Sequence, residues 1–108
     1  MQLLFIKYKI KQGHLSKVIS WAEYLHKHKE DVIQTLSEEG VIFEYAAIDH
    51  QSNGAYLIYV IRAKNLDQAF QIFKKSSKPI DLFFKNEMSV NLESPEKLQT
   101  IISFEDFK

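Results

Sequence analysis

Residues 41–61 read VIFEYAAIDHQSNGAYLIYVI, and this stretch decides the fold. Two apolar runs, residues 41–48 and 55–61, flank the pair Asn53-Gly54. An Asn-Gly pair tolerates the positive φ angles of a type I′ turn, so the stretch predicts a β-hairpin with these two residues at the centre of its turn.

The register of this hairpin sorts its side chains onto two faces. With Ser52 opposite Ala55, the alternation of a strand places Glu44 and Tyr59 on the same face. The strand after the turn is apolar or aromatic on both faces, as expected of a central strand that is buried on two sides. One face holds Ile42, Glu44, Ala46, Ile48, Leu57, Tyr59 and Ile61, and the other holds Phe43, Tyr45, Ala47, Tyr56, Ile58 and Val60.

The residues before the hairpin predict a strand and a long helix. Residues 3–10 alternate as a strand does. From Leu15 to Leu36, apolar residues recur at helical spacing until Gly40 offers a C-terminal stop, which predicts one helix of about 25 residues. Trp21 falls beside the core stripe of this helix, and we expect another element or subunit to cover that flank.

The residues after the hairpin complete the pattern. Asn65, with Gln68 three residues later, predicts the start of a second helix, and Pro79 predicts a short third helix. Residues 91–99 are predicted to form a loop and residues 100–107 a final strand. The order is the α+β, ferredoxin-like βαββαβ arrangement, a four-stranded antiparallel sheet with helices on one face. The other face is not polar here, which predicts that a partner covers it.

Composition limits the classes of function. The chain has 108 residues, of which 45% are hydrophobic, and this predicts a single ferredoxin-like domain over residues 1–108. Its 14 basic and 14 acidic residues cancel, so nucleic acid is not an expected partner. The chain contains no cysteine, shows no export signal and has no apolar run of membrane-spanning length. We therefore expect a cytoplasmic protein that does not bind membranes.

The sequence shows no strong motif for chemistry. His26 and His28 are two apart on a predicted helix and cannot chelate one metal, so neither a metal nor a cofactor is expected. The glycines form neither a phosphate loop nor a dinucleotide fingerprint. A reaction therefore cannot be derived from motifs alone.

Glu44 is the residue that stands out, because the neighbours on its face are apolar. It extends its carboxyl to solvent from an edge strand, pairs with Lys7 or Lys9, or is placed for a ligand. Tyr59 shares its face, and His50 lies at the turn end of the hairpin. We take Glu44, Tyr59 and His50 as the candidate ligand-binding residues.

Several sequence features together resemble small bacterial proteins of the dimeric α/β-barrel superfamily, and within it a group of uncharacterised domains. They are the βαββαβ order, Gly13-His14 ahead of the first helix, GAYLIY at residues 54–59 and KPID at residues 78–81. The resemblance implies a homodimer in which two sheets pack face to face. Relatives in that superfamily include cofactor-independent monooxygenases, chlorite dismutases, heme-degrading proteins, muconolactone isomerase and stress-induced domains, and no catalytic residue carries over from them.

Two classes of function remain open. The first is a protein that binds a small, largely apolar molecule, with a cofactor-independent oxygenase or isomerase as its catalytic form. The second is a non-catalytic regulatory or structural interaction module that self-associates through the sheet. An RNA-recognition domain shares the strand order, but the third strand lacks the basic and aromatic signature of that family.

Overall fold

The computed structural model describes residues 2–104, in which four strands form one antiparallel sheet. β1 (Gln2–Ile10) and β3 (Gly54–Ala63) are the central pair; β2 (Val41–Gln51) lies at the edge beside β3, and β4 (Leu92–Leu98) lies at the edge beside β1. The spatial order β2-β3-β1-β4, with every neighbouring pair antiparallel, confirms the predicted α+β, ferredoxin-like topology.

Four helices cover one face of this sheet. Both helix starts that were predicted in the second half of the chain are confirmed. The Asn65 side chain accepts a hydrogen bond from the Gln68 backbone N–H at 3.0 Å, and Pro79 is the first residue of the last helix. That last helix is 13 residues long rather than short. The helices are α1 (Leu15–Lys27), α2 (Lys29–Glu38), α3 (Leu66–Lys75) and α4 (Pro79–Asn91).

The prediction of one long first helix is wrong, because the helix breaks at His28. The backbone of this residue leaves the helical region, with φ −108° and ψ 33°. Residues 26–31 read HKHKED, so no apolar side chain ties this turn to the sheet. Glu30 and Asp31 then occupy the first turn of α2, where negative charge favours a helix start. A polar gap followed by two acids was the sequence signal for the break.

The predicted turn register is also wrong, although the faces it implied are correct. Gln51 pairs with Gly54, so Ser52 and Asn53 form the turn. Among the described residues other than glycine, only Ser94 has a positive φ, and the turn is therefore not type I′. The pairing differs by two residues from the predicted one. A shift of two preserves alternation, so side chains beyond the bulge at the start of β2 keep their predicted faces.

The predicted final strand at residues 100–107 is wrong, because β4 occupies the segment that was expected to be a loop. Ser94, with φ 51°, and Pro95 lie where the pairing of β4 with β1 shifts register. An edge strand tolerates a bulge and a proline because one side of its backbone has no ladder to maintain. Residues 99–104 have no regular secondary structure, and residues 105–107 lie outside the described part of the chain.

The core lies between the sheet and the helices. Trp21 belongs to it: the side chain is 5% exposed, and its ring meets that of Phe84 edge to face with centroids 5.1 Å apart. The prediction that Trp21 lies on a separate flank is therefore wrong. The most buried cluster consists of Ile10, Val18, Trp21, Leu57 and Leu92.

The opposite face of the sheet, which we call the open face, has no helix over it among the described residues. Tyr45 on this face is 67% exposed. Lysines opposite acids border its apolar centre, with Lys7 opposite Glu96 and Lys9 opposite Glu93. None of the described helices is long and apolar enough to cross a membrane. The apolar centre of the open face is formed by Phe5, Phe43, Tyr45, Ile58, Val60 and Leu98.

Candidate functional site

A cavity of about 260 Å³ lies between the sheet and helices α2, α3 and α4, and we call it the central cavity. Its size is close to the lower end of the range for small-molecule sites, about 300 Å³. Most of its wall is apolar, and the polar groups converge from both layers. The wall includes Tyr8, Glu44 and Tyr59 from the sheet and Thr35, Glu39 and Phe84 from the helices.

A second cavity of about 460 Å³, the edge cleft, lies between α1, α2 and the edge strand β2. His26, Lys29 and Ala46 line it, and all three are exposed, so the cleft opens to solvent at the edge of the sheet. The helix break at His28 falls between the first two of these residues. Six residues line both cavities, so the two are adjacent: Leu25, Val32, Leu36, Glu44, Tyr59 and Phe84.

The structure brings two of the three predicted site residues together. Glu44 and Tyr59 lie on the helix-covered face and line both the central cavity and the edge cleft. Lys7 and Lys9 belong to the open face, so neither is the lysine partner that was one interpretation of Glu44. Glu44 does lie on an edge strand, β2, and is half-buried there, as the interpretation of a carboxyl that reaches solvent requires. His50 pairs with Ala55 at the turn end of the hairpin, is exposed and lines neither cavity. Ligand binding by Glu44 and Tyr59 stays a prediction.

Three polar residues at the central cavity were not found from the sequence. Thr35 Oγ1 lies 2.8 Å from Asp81 Oδ2 and 3.0 Å from Asp81 Oδ1, and it lies 3.3 Å from Glu39 Oε2. Ser76 Oγ also donates a hydrogen bond to Asp81 Oδ2. The available signal was Thr35 and Glu39 at positions i and i+4, one helical turn apart beside the apolar stripe of α2. Asp81 could not be connected to them, because 46 residues separate it from Thr35.

The hydrogen-bond capacity of Thr35 limits how many of these carboxyls it can satisfy. A threonine hydroxyl has one proton to donate, and the shortest contact of Thr35 Oγ1 is to Asp81. Its longer contact, in which it donates to Glu39 Oε2 at 3.3 Å, competes for the same proton. Thr35 therefore satisfies one of the two carboxyls at a time, and the distances favour Asp81.

Burial changes the acidity of the cavity carboxyls. Burial, followed by the charge of Asp81, raises the pKa of Glu39 to about 7, although the Thr35 hydrogen bond and the charge of Lys85 act in the opposite direction. Burial, followed by the charge of Glu39, raises the pKa of Glu44 to about 7. Burial also raises the pKa of Tyr8. Glu39 and Glu44 can therefore take up or release a proton near neutral pH.

The lining indicates the chemistry that the central cavity supports. Within residues 2–104, no group of three or more histidine and acidic side chains is arranged to hold a metal ion. The cavity wall, as far as the structure describes it, contains carboxyls, phenols and one threonine hydroxyl, together with apolar and aromatic side chains. Such a wall can enclose an apolar body and exchange a proton with one polar group on it.

The sequence places the chain in a family. Residues 1–108 match the model of DUF6176, which is described as a family of unknown function. The chain belongs to this family. No curated protein matches the DUF6176 chain.

Solved structures share the fold of this DUF6176 chain at low identity. A dimeric ferredoxin-like protein from an uncultured marine organism has a TM-score of 0.63 and 11% identity, covering 99% of this chain and 100% of its own. L-rhamnose mutarotase from Formosa agariphila has a TM-score of 0.57 and 16% identity, and the match covers 97% of this chain and 100% of the mutarotase chain. A candidate antibiotic biosynthesis monooxygenase from Nitrosomonas europaea has a TM-score of 0.57 and 12% identity, and the match covers 90% of this chain and 94% of the monooxygenase chain. At these identities the likeness shows the ferredoxin-like fold alone.

Proposed function

We propose that this DUF6176 chain binds a small, largely apolar molecule in the central cavity and that Glu44 is the group that exchanges a proton with it. The observation that carries the proposal is the position of Glu44, a carboxyl with a pKa of about 7 on the wall of a mostly apolar cavity. A carboxyl of this acidity is suited to proton transfer at neutral pH. The edge cleft provides a route from solvent, because Glu44 lines it as well.

Proton transfer is the chemistry that these residues favour. One structural neighbour is named a mutarotase and another a candidate monooxygenase. The cavity wall supplies Glu39 and Glu44, both of which titrate near pH 7, and the hydroxyl of Tyr59. These groups are acids, bases and hydrogen-bond donors, which supports an isomerase-like function over an oxygenase-like one.

We also propose that the chain forms a homodimer through the open face. Its apolar centre includes Phe5, Ile58 and Val60 on the two central strands, where a monomer leaves them facing water. One structural neighbour is described as a dimeric ferredoxin-like protein. In such a dimer the central cavity lies on the far side of each sheet from the interface, so each subunit carries its own complete site.

A variant that fills the cavity tests the proposed binding. Val32 lines the central cavity, whereas its neighbour Ile33 is 52% exposed and does not. Val32→Phe therefore adds a ring inside the cavity, and Ile33→Phe makes a matched change outside it. Single-ring aromatic molecules are screened by thermal shift and by saturation-transfer NMR against both variants and the wild type.

We expect some of these molecules to bind the wild type and Ile33→Phe, and Val32→Phe to lose that binding while its melting temperature is maintained. Binding that Val32→Phe leaves unchanged would place the ligand elsewhere. The proposed function also fails if no molecule in the screen binds the wild type.

A further inference from the structure

The charges around the central cavity are unbalanced. Glu39, Glu44 and Asp81 line it, and its wall includes no lysine, arginine or histidine among the residues described. The cation close to these acids is Lys85, whose Nζ donates hydrogen bonds to the backbone oxygens of Lys74 at 3.0 Å and Ser76 at 2.9 Å. His26 and Lys29 line the edge cleft but not the central cavity. Among the described residues, the wall of the central cavity thus carries three acids and no cation, and Lys85 acts on Glu39 from outside that wall.

Two of these acids lack hydrogen-bond donors of their own. Glu39 is only 8% exposed, and its one side-chain partner, Thr35, places its single proton closer to Asp81. Glu44 makes no hydrogen bond to any residue that the structure describes. Glu39 is buried and Glu44 is half-buried, so desolvation disfavours the charge of each carboxylate, and a ligand that supplies hydrogen-bond donors would stabilise it.

The rest of the cavity wall suits a cation with an apolar body. Aromatic rings line the same cavity as the acids, and the faces of such rings attract positive charge, as the Lys85 ammonium 5.2 Å from the centre of the Phe73 ring illustrates. An organic ammonium group carries three hydrogen-bond donors, and the remainder of the molecule can contact apolar side chains. The rings come from Tyr8, Tyr59, Phe70, Phe73 and Phe84.

We propose that the ligand of the central cavity is an organic monocation, a protonated amine on an aromatic or alicyclic body, with its ammonium group between Glu39 and Glu44. This inference rests on the proposed function, since it names the ligand class of the same cavity. A neutral ligand would leave the protonation of both carboxyls unchanged, and an anionic ligand would face three acids. A cation instead takes the place of the protons, so its binding releases protons to solvent.

Proton release gives the binding a characteristic pH dependence. A carboxyl with a pKa of about 7 is roughly one-tenth ionised at pH 6 and roughly nine-tenths ionised at pH 8, so the affinity for a cation should rise about tenfold for each such group over that range. Over the same range an alkylamine keeps its charge. The groups that act on Glu39 are Asp81 and Lys85 of α4 and Thr35 of α2, and Glu39 in turn acts on Glu44. The phenols of Tyr8 and Tyr59 line the central cavity with both acids, and His26 and Lys29 line the edge cleft with Glu44.

Three probes of one shape and different charge test the inference. Titration calorimetry measures the binding of 2-phenylethylamine, 2-phenylethanol and phenylacetate at pH 6 and pH 8, in buffers of different ionisation enthalpy that report proton release. We expect the amine to bind more tightly than the alcohol, by about tenfold or more at pH 8. At pH 6 the amine should bind more weakly, and its binding should release protons, because the carboxyls are mostly protonated before it binds. Phenylacetate should not bind.

A matched pair of variants locates the effect. Glu44→Gln keeps the shape of the side chain but removes its charge and should weaken amine binding about tenfold, and weaken binding of the alcohol by much less. Glu23→Gln removes an exposed acid of α1 and should change neither the affinity for the amine nor the affinity for the alcohol. Equal, pH-independent binding of amine and alcohol overturns the cation inference but leaves the proposed binding function intact. Tighter binding of phenylacetate than of the amine also overturns it, and binding of none of the three probes overturns both proposals.

Discussion

At the scale of single residues, burial determines the chemistry of Glu44 and Glu39. Both are ordinary carboxyls in the sequence, and both acquire pKa values of about 7 from burial and from the acids beside them. The sequence indicated Glu44 because its face neighbours are apolar, and it also placed Tyr59 on that face. It could not indicate Thr35 and Asp81, because their contact depends on how α2 and α4 pack.

The raised pKa of Glu44 predicts how stability depends on pH. The folded-state pKa of about 7 exceeds the ordinary value of 4.5, so between these values the folded chain keeps a proton that the unfolded chain has lost. The free energy of unfolding should therefore fall as pH rises from about 4.5 to about 7. Glu44→Gln removes this contribution and should be more stable than the wild type at pH 8, by about 1–3 kcal/mol.

Urea denaturation at pH 5 and pH 8 measures both effects. Glu23→Gln, which removes an exposed acid, should leave the pH dependence as it is in the wild type. A stability difference between Glu44→Gln and the wild type that is the same at both pH values would contradict a raised pKa for Glu44.

Thr35 provides a second prediction at this scale. Thr35→Val keeps the shape of the side chain but removes the hydroxyl that donates to buried Asp81, and should destabilise the fold by about 1–3 kcal/mol. It should also raise the pKa of Glu39 further, because the Thr35 hydrogen bond lowers that pKa. Denaturation and carboxyl NMR titration measure the two effects. Thr100→Val, at an exposed position, is the control, and an equal loss of stability there would contradict the role of Thr35.

At the scale of elements, the helix starts and the hairpin follow local rules and could be predicted. The Asn65 cap and Pro79 at the start of α4 are local signals that the structure confirms. The break at His28 and strand β4 were not predicted, because each conflicts with local propensity. No glycine or proline marks the helix break, and the sequence of β4 contains Ser94-Pro95, which is typical of a turn. Pairing with β1 outweighs that preference.

Trp21 shows how an interrupted helix changes the pattern of burial. Periodicity over a single long helix placed Trp21 beside the core stripe, whereas α1 alone directs it into the core. Trp21→Ala should therefore destabilise the chain by about 3–5 kcal/mol, as expected for a large buried side chain. Tyr24 lies on the same helix and is 38% exposed, so Tyr24→Ala should lower the free energy of unfolding by clearly less. Chemical denaturation compares them, and equal losses would contradict a core position for Trp21.

At the scale of the whole molecule, the two faces of the sheet differ in what covers them. The helix-covered face holds the central cavity, and the open face presents an apolar centre bordered by charges. The sequence predicted that a partner covers one face but could not assign the face. The structure shows which face the helices cover: it is the face that carries Glu44 and Tyr59.

The open face leads to a prediction about assembly. Ile58→Glu places an unpaired charge at the centre of the proposed dimer interface and should produce monomers, since burying such a charge costs several kcal/mol. Ile33→Glu makes the same change on an exposed position of α2 and should leave a dimer. Light scattering at micromolar concentration measures the mass of each. A wild type that is monomeric under these conditions would contradict the proposed homodimer.

The most direct test of the central cavity as a binding site is a crystallographic fragment screen with single-ring aromatic amines and alcohols. We expect electron density for a fragment between the sheet and the helices, in contact with Glu44 and Tyr59, and with Glu39 within hydrogen-bond distance when the fragment is an amine. A cavity closed by the chain's own side chains, with fragments bound only at other sites, would contradict it.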